Sequence, residues 1–270
     1  MVLDFTHATL GQTGLQVHRL GLSATYRPGK ATIHRALDAG LNYFFAFGID
    51  TQMTHVLRDV MQTQRERIVL ATGAYNLLYG YPNLRRTLEK RLRQFHTDYI
   101  DVFLFLGVTR EKDFPEAARE ELYRLREEGK IRSVGMSSHD RKFAGKLAAA
   151  GALDVLMIRY NAAHRGAEQD IFPHLERHRP GVVSYTATRW THLLRRPRSW
   201  PQDERIPSPG MCYRFVLSNP HVEVCLTAPS NLKEFEENLE ALRDGPLPEE
   251  DRAFMHSFGE VVHQHAGWFM

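Results

Sequence analysis

Eight short apolar runs recur along the chain, each followed by a longer stretch of mixed polarity. They are Arg19 to Ser23, Tyr43 to Phe47, Ile68 to Thr72, Ile100 to Leu106, Ser133 to Ser137, Val155 to Tyr160, Gly181 to Tyr185 and Val222 to Leu226. Most are continuously apolar rather than alternating, the pattern of parallel strands covered on both faces. Helical spacing fills the intervals. Ala31 to Ala39 stops at Gly40, Phe114 to Glu128 at Gly129, and Arg141 to Ala150 at Gly151. Asn83 to Phe95, Leu232 to Leu242 and Glu249 to Ala266 supply further helices. A doubly wound open sheet is the rival α/β arrangement, but eight strands in 270 residues predict a (β/α)8 TIM barrel with extra C-terminal helices. The leading segment Phe5 to Val17, with Gly11 and Gly14 near its centre, reads as a β-hairpin capping the barrel's lower end.

No break in composition marks a second domain, so 1–270 reads as a single barrel domain. The longest interruption, Arg195 to Pro209, holds four prolines and reads as a surface loop. A net charge of +3 with scattered lysine and arginine points to no nucleic-acid partner; the densest basic run, 193–198, is broken by Pro197. No window approaches the ~18 apolar residues of a membrane span, and the N-terminus shows no secretory pattern. The two cysteines, Cys212 and Cys225, have no metal-ligand spacing and read as buried thiols in a reducing compartment. A cytoplasmic protein binding a small molecule is the expectation, with oligomeric state open.

Several segments occur in a recognisable order. They are Leu10-Gly11-Gln12-Thr13-Gly14-Leu15-Gln16-Val17, Leu20-Gly21-Leu22, Gly40-Leu41-Asn42-Tyr43-Phe44 and Asp98-Tyr99-Ile100-Asp101-Val102. Further on come the stretch 128–137 (EGKIRSVGMS), Tyr160-Asn161 and Glu236-Glu237-Asn238-Leu239. Together they resemble the aldo-keto reductase family over nearly the whole chain. That family's members are NADP(H)-linked oxidoreductases. A tyrosine protonates the carbonyl, a lysine paired with an aspartate tunes the tyrosine, and a histidine orients the substrate. The resemblance puts Phe45 at the aspartate, Asp50 at the tyrosine, Gly73 at the lysine and Leu106 at the histidine. Losing one member of a buried lysine–aspartate pair would strand a charge at about 3–5 kcal/mol. Here both members are replaced, which predicts an apolar rebuilding of the barrel top.

The resemblance also implies cofactor contacts. Ser137 matches an amide-holding serine and Tyr185 the ring on which the nicotinamide stacks; Ser138 stands for an asparagine and Met157 for a glutamine. Ser230, Asn231 and Lys233 resemble the adenosine-phosphate loop, aided by a helix N-terminus, and Asn238 an adenine contact. Glu234 stands where the family often has arginine or glutamine, and a carboxylate there repels a 2′-phosphate. NADP(H) binding is expected through a weakened site.

Chemistry in such barrels sits at strand C-termini. Strand alternation pointing Met157 inward also points Arg159 and Asn161 inward. An inward arginine needs a partner, either Asp50 or Asp101 of the chain or an anionic ligand. His139 and His164 lie on neighbouring loops and are candidate proton-transfer groups, with Asp50 a third if burial lifts its pKa. Two histidines without a third ligand at fixed spacing predict no metal. Arg189 and Trp190 offer a cation and a flat surface to substrate, whereas Tyr75, followed by Asn76, reads as ordinary loop packing. Three readings stay open: a reductase-like enzyme with altered or very slow chemistry, a catalytically inactive relative that binds a ligand or senses cofactor, and an ordinary reductase whose motifs are misaligned, with His55 and Lys30 as the nearby spare residues.

Overall fold

In the computed structural model, which describes residues 4–47, 50–75 and 82–264, the eight predicted runs form one closed parallel barrel. A hairpin precedes it: β1 (His7–Thr9) pairs antiparallel with β2 (Gln16–His18). The barrel strands are β3 (Leu20–Ser23), β4 (Tyr43–Phe45), β5 (Val69–Tyr75), β6 (Ile100–Val108), β7 (Ile131–Ser138), β8 (Val155–Arg159), β9 (Gly181–Tyr185) and β10 (Val224–Thr227). They follow one another around the wall in chain order, and β10 closes on β3 with Cys225 opposite Leu20. The described helices are α1 (Lys30–Asp38), α2 (Gln52–Gln64), α3 (Leu84–Phe95), α4 (Glu116–Glu127), α5 (Arg141–Ala149), α6 (Ala167–Asp170), α7 (Pro209–Leu217), α8 (Leu232–Ala241) and α9 (Glu249–Gln264). None is long and apolar enough to cross a membrane.

Period-2 alternation divides each strand between two cores. Outward residues such as Phe44, Leu70, Phe103 and Phe105 join the helices in the larger cluster. Inward residues fill the barrel itself: Tyr43 and Phe45, Val69 and Ala71, Val102, Leu104 and Leu106, Val155 and Met157. Leu10 and Val17 of the hairpin belong to this inner cluster, so the hairpin plugs the floor as expected. Gly11 permits the close fit. Its φ is +50°, and a Cβ there would lie 2.2 Å from the Gly181 amide nitrogen at the start of β9. Both cysteines are buried free thiols.

Three of the described helices lie where no helix was anticipated: α2, the four-residue α6 and α7. In α2 the buried Met53, Val56, Leu57 and Met61 keep helical spacing, but intervening Thr, Gln and Arg dilute it. Pro209, taken as the end of a loop, opens α7: proline suits the first turn, and Ser208 caps it by accepting from the Met211 amide. The preceding loop is pinned by Trp200, whose ring meets Phe258 at 4.9 Å, and by Arg205, paired with Asp251 at 2.7 Å.

Near the N-terminal ends of the strands, Asp101 is 1% exposed and accepts from Arg65 at 2.8 Å and from the Leu70 amide at 2.9 Å. Arg132 approaches it at 3.5 Å. The Tyr99 ring lies between the two guanidiniums, 3.8 Å from Arg65 and 4.0 Å from Arg132. Burial lifts the Asp101 carboxyl above the ordinary range, against the pull of Arg65 and the Leu70 amide. A buried carboxylate so paired is needed by its partners more than it stabilises in itself. Asp101→Ala strands Arg65 and the Leu70 amide, and should lower the free energy of unfolding by about 3–5 kcal/mol. Urea unfolding will show it as an earlier midpoint at unchanged slope.

Candidate functional site at the barrel mouth

A cavity of about 350 Å³ opens at the C-terminal ends of the strands. Phe45, Leu106, Met157 and Leu226 form its depths. Phe47 stacks on Phe45 with ring centres 5.8 Å apart, and Tyr75 tilts against Phe47 at 5.9 Å. Tyr26, Tyr75 and Trp190 stand at the rim, 52%, 45% and 38% exposed. Large aromatics left in water around one cavity mark a place for an apolar molecule. Tyr75, expected in ordinary loop packing, ends β5 and lines this cavity; Asn76 lies outside the described residues.

The four positions singled out by resemblance can now be placed. Phe45 and Leu106, 5% and 4% exposed, are walls of the cavity. Gly73 faces Leu104 across the β5–β6 ladder, and a Cβ on it would lie 2.2 Å from the Leu104 carbonyl oxygen and 2.9 Å from Leu106 Cγ. No side chain fits there without moving backbone. Asp50 is engaged at the start of α2, where its carboxylate accepts from the Gln52 amide at 3.1 Å and the Met53 amide at 3.2 Å. It caps a helix and is no free acid of the cavity.

One polar group does converge on the cavity. Ser137 and His139 come from the end of β7 and the loop after it, Tyr185 from the end of β9. Tyr185 Oη lies 3.4 Å from His139 Nε2, the rings meet edge to face at 6.1 Å, and the Ser137 hydroxyl also bonds to Tyr185. Burial raises the Tyr185 phenol and lowers His139, which the Arg159 charge lowers further. Both are thus neutral near neutral pH. Arg159 ends β8 directly opposite Tyr185, half-buried.

Other candidates turn elsewhere, each for a local reason. Asn161 is fully buried. It donates to the Thr186 carbonyl at 2.9 Å and accepts from the Ala163 amide at 3.0 Å, so it ties two loops together and is removed from substrate. His164 closes a tight turn with Asn161 and sets its ring 5.5 Å from His263 of α9; it does not join His139. Arg189 is 2% exposed and donates to the Val262 carbonyl at 2.6 Å, fastening α9 over the mouth. Ser138 donates to the Val108 carbonyl at 3.3 Å and accepts from the Asp140 amide at 3.0 Å, away from the cavity. Trp190 does reach the rim, within a run of three left-handed residues, Arg189, Trp190 and Thr191, at φ 50°, 48° and 69°. Such a run is costly for side chains other than glycine and holds only where surrounding contacts impose it.

The loop before α8 shows an arrangement that spacing alone did not disclose. Asn231 caps the helix by accepting from the Glu234 amide at 3.0 Å. The Glu234 carboxylate folds back, accepting from the Ser230 amide at 2.8 Å and the Asn231 side chain at 3.1 Å. The chain's own carboxylate thus occupies the helix N-terminus. Lys233 is 86% exposed, 3.8 Å from Glu237. Asn238 is buried and donates to the Thr227 hydroxyl at 3.1 Å, which donates on to Tyr213.

Comparison with known proteins agrees with this fold. The oxidoreductase YqkF of Bacillus subtilis, described as uncharacterized, is 24% identical over 90% of this chain and 92% of its own length. The aldo-keto reductase YhdN of the same organism is 24% identical over 66% of this chain and 61% of its own. Among solved structures, the holo form of aldo-keto reductase AKR11C1 from Bacillus halodurans superposes with a TM-score of 0.77 at 20% identity, covering 94% of this chain and 96% of that one. An aldo/keto reductase from Klebsiella pneumoniae, solved with NADP and acetate, gives 0.74 at 22% identity, over 94% and 95%. Likeness at that identity speaks for the barrel alone, but the sequence model of the aldo/keto reductase family matches residues 20–205, and this chain belongs to that family.

Proposed function

We propose that the chain binds a small, flat, largely apolar molecule at the barrel mouth and lacks the tyrosine–lysine relay of carbonyl reduction. The observation that carries this reading is the approach of Gly73 to the Leu104 carbonyl, 2.2 Å from where a Cβ would stand. A lysine cannot occupy residue 73 on this backbone. Phe45 and Leu106 fill the rest of the neighbourhood with hydrocarbon. The remaining acid, Asp50, is held by two amides of α2. A general acid must reach the atom it protonates, and none of these four side chains offers a proton to the cavity.

NADP(H) suits the residues present only in part. Tyr185 and Ser137 offer a ring and one hydroxyl to a nicotinamide. The Ser138 hydroxyl is committed to backbone groups, Met157 carries no amide, and Glu234 holds the N-terminus of α8 where a phosphate would need it. The phosphorylated half of the cofactor does not fit, so no hydride step is assigned here. A second reading has one observation in its favour. The Tyr185–His139 pair opens on the cavity and could pass a proton, although burial makes the phenol a weaker acid than usual.

Three outcomes follow from this reading. NADPH titrated into the protein and followed by calorimetry should bind no more tightly than the millimolar range, a binding free energy of about −4 kcal/mol, with no turnover across a panel of aldehydes and ketones. Micromolar binding together with turnover would remove the proposal. Glu234→Arg clears the helix N-terminus and supplies a cation, so NADPH affinity should rise about tenfold, or ~1.4 kcal/mol; affinity equal to the parent's would mean that Glu234 is not the obstacle. Gly73→Ala should lower stability by about 1–3 kcal/mol through overpacking, seen in thermal unfolding. A variant as stable as the parent would show that β5 and β6 part easily enough to admit a side chain.

A further inference from the structure

Arg159 is the last residue of β8, two after Met157 on the same face of the strand, and Met157 lines the cavity. Its Cα partner on β9 is Tyr185, another lining residue. A half-buried guanidinium calls for an anion. The carboxylates that the sequence offered are engaged elsewhere: Asp50 caps α2, and Asp101 is paired with Arg65 and Arg132 near the barrel floor. Among the described residues no carboxylate pairs with Arg159. Its electrostatic neighbours are Tyr185, His139, Arg141 and Arg189, and Arg141 is itself paired with Asp170 at 2.9 Å. Burial is the main cause that depresses Arg159, Arg189 and His139; the Arg159 charge lowers Arg189 and His139 further, and Arg141 lowers Arg159.

The cavity is lined by no aspartate, glutamate, lysine or arginine among the described residues; Arg159 stands behind the lining residues Met157, Tyr185 and His139. Its faces are flat rings: Phe45 stacked on Phe47, Tyr75 against Phe47, and Trp190 and Tyr26 at the rim. Stacked and tilted rings favour an aromatic guest over a branched aliphatic one. One planar guanidinium, with five donors in a fork, matches one carboxylate in two parallel hydrogen bonds. We infer that Arg159 anchors the carboxylate of a flat aromatic acid whose ring system lies among the aromatic side chains of the barrel mouth. This rests on the binding reading above and specifies the class of molecule that the site takes.

The test uses two molecules of one shape, 2-naphthoate and the neutral 2-naphthamide, titrated by calorimetry into the intact protein and into Arg159→Met, which keeps the apolar stem and removes the charge. The parent should bind naphthoate at least about tenfold more tightly than the amide, as a charge-assisted bidentate contact requires. Arg159→Met should abolish that gap and leave amide binding unchanged, with thermal unfolding showing the variant folded. Arg159→Lys, a point charge without the fork, should keep part of the gap. Equal binding of the two probes to the parent would overturn the inference and leave the binding reading intact. A gap that survives in Arg159→Met would overturn it too, since the anion would then be held elsewhere. Failure of both probes to bind the parent would overturn the inference and the binding reading together.

Discussion

The close approach of β5 and β6 at Gly73 and Leu104 is the contact on which the barrel mouth depends. With no side chain at residue 73, Leu106 can lean across the strand and Phe45 can fill the level beside it. The apolar inner cluster then runs from the hairpin plug, Leu10 and Val17, up to the cavity. A lysine and an aspartate at that level would have to be buried together, each needing the other to offset lost hydration. Hydrocarbon there needs no such pairing. It is worth roughly 25 cal/mol per Å² removed from water, and Phe45 and Gly73 bring no charge to that level.

Charge is handled differently at the two ends of the barrel. At the floor, Asp101 sits between Arg65 and Arg132, with Tyr99 layered between the two guanidiniums. Every charge there has a partner, and the group reads as structural. At the mouth, half-buried Arg159 has no carboxylate partner among the described residues. The N-terminus of α8 shows the reverse case, held from within by the Glu234 carboxylate.

The architecture was legible because a parallel barrel imposes a simple rule on sequence: strands covered on both faces become continuous apolar runs. All eight runs became strands, and the hairpin fell where its glycines placed it. Helices α2 and α7 escaped notice for ordinary reasons. The apolar stripe of α2 is interrupted by neutral polar residues, and α7 begins on a proline that resembles the end of a loop. Phe45, Gly73 and Leu106 fell on strands, as segment order implied. The tight approach of the Leu104 carbonyl to Gly73 could not be read there, because it is set by how two backbones meet across the ladder.

Loops explain the candidates that went astray. On a strand, period 2 fixes which way a side chain points, and Arg159 ends β8 two residues after the cavity-lining Met157. Two residues on, alternation fails: Asn161 is drawn into a turn with His164, and its amide is taken up by the carbonyl of Thr186 and the amide of Ala163. Arg189 and Trp190 are adjacent and were expected to act together. The left-handed backbone that carries both sends one to the Val262 carbonyl and the other to the cavity rim. The same turn thus makes one side chain a fastening for α9 and its neighbour part of the cavity rim. The difference lies in where each can find a partner. A guanidinium entering the interior must meet acceptors, and the carbonyl near the end of α9 supplies one. An indole can remain at the edge, one face on apolar residues and the other toward water or a ligand. Trp190 is left in that position, at the rim of the cavity.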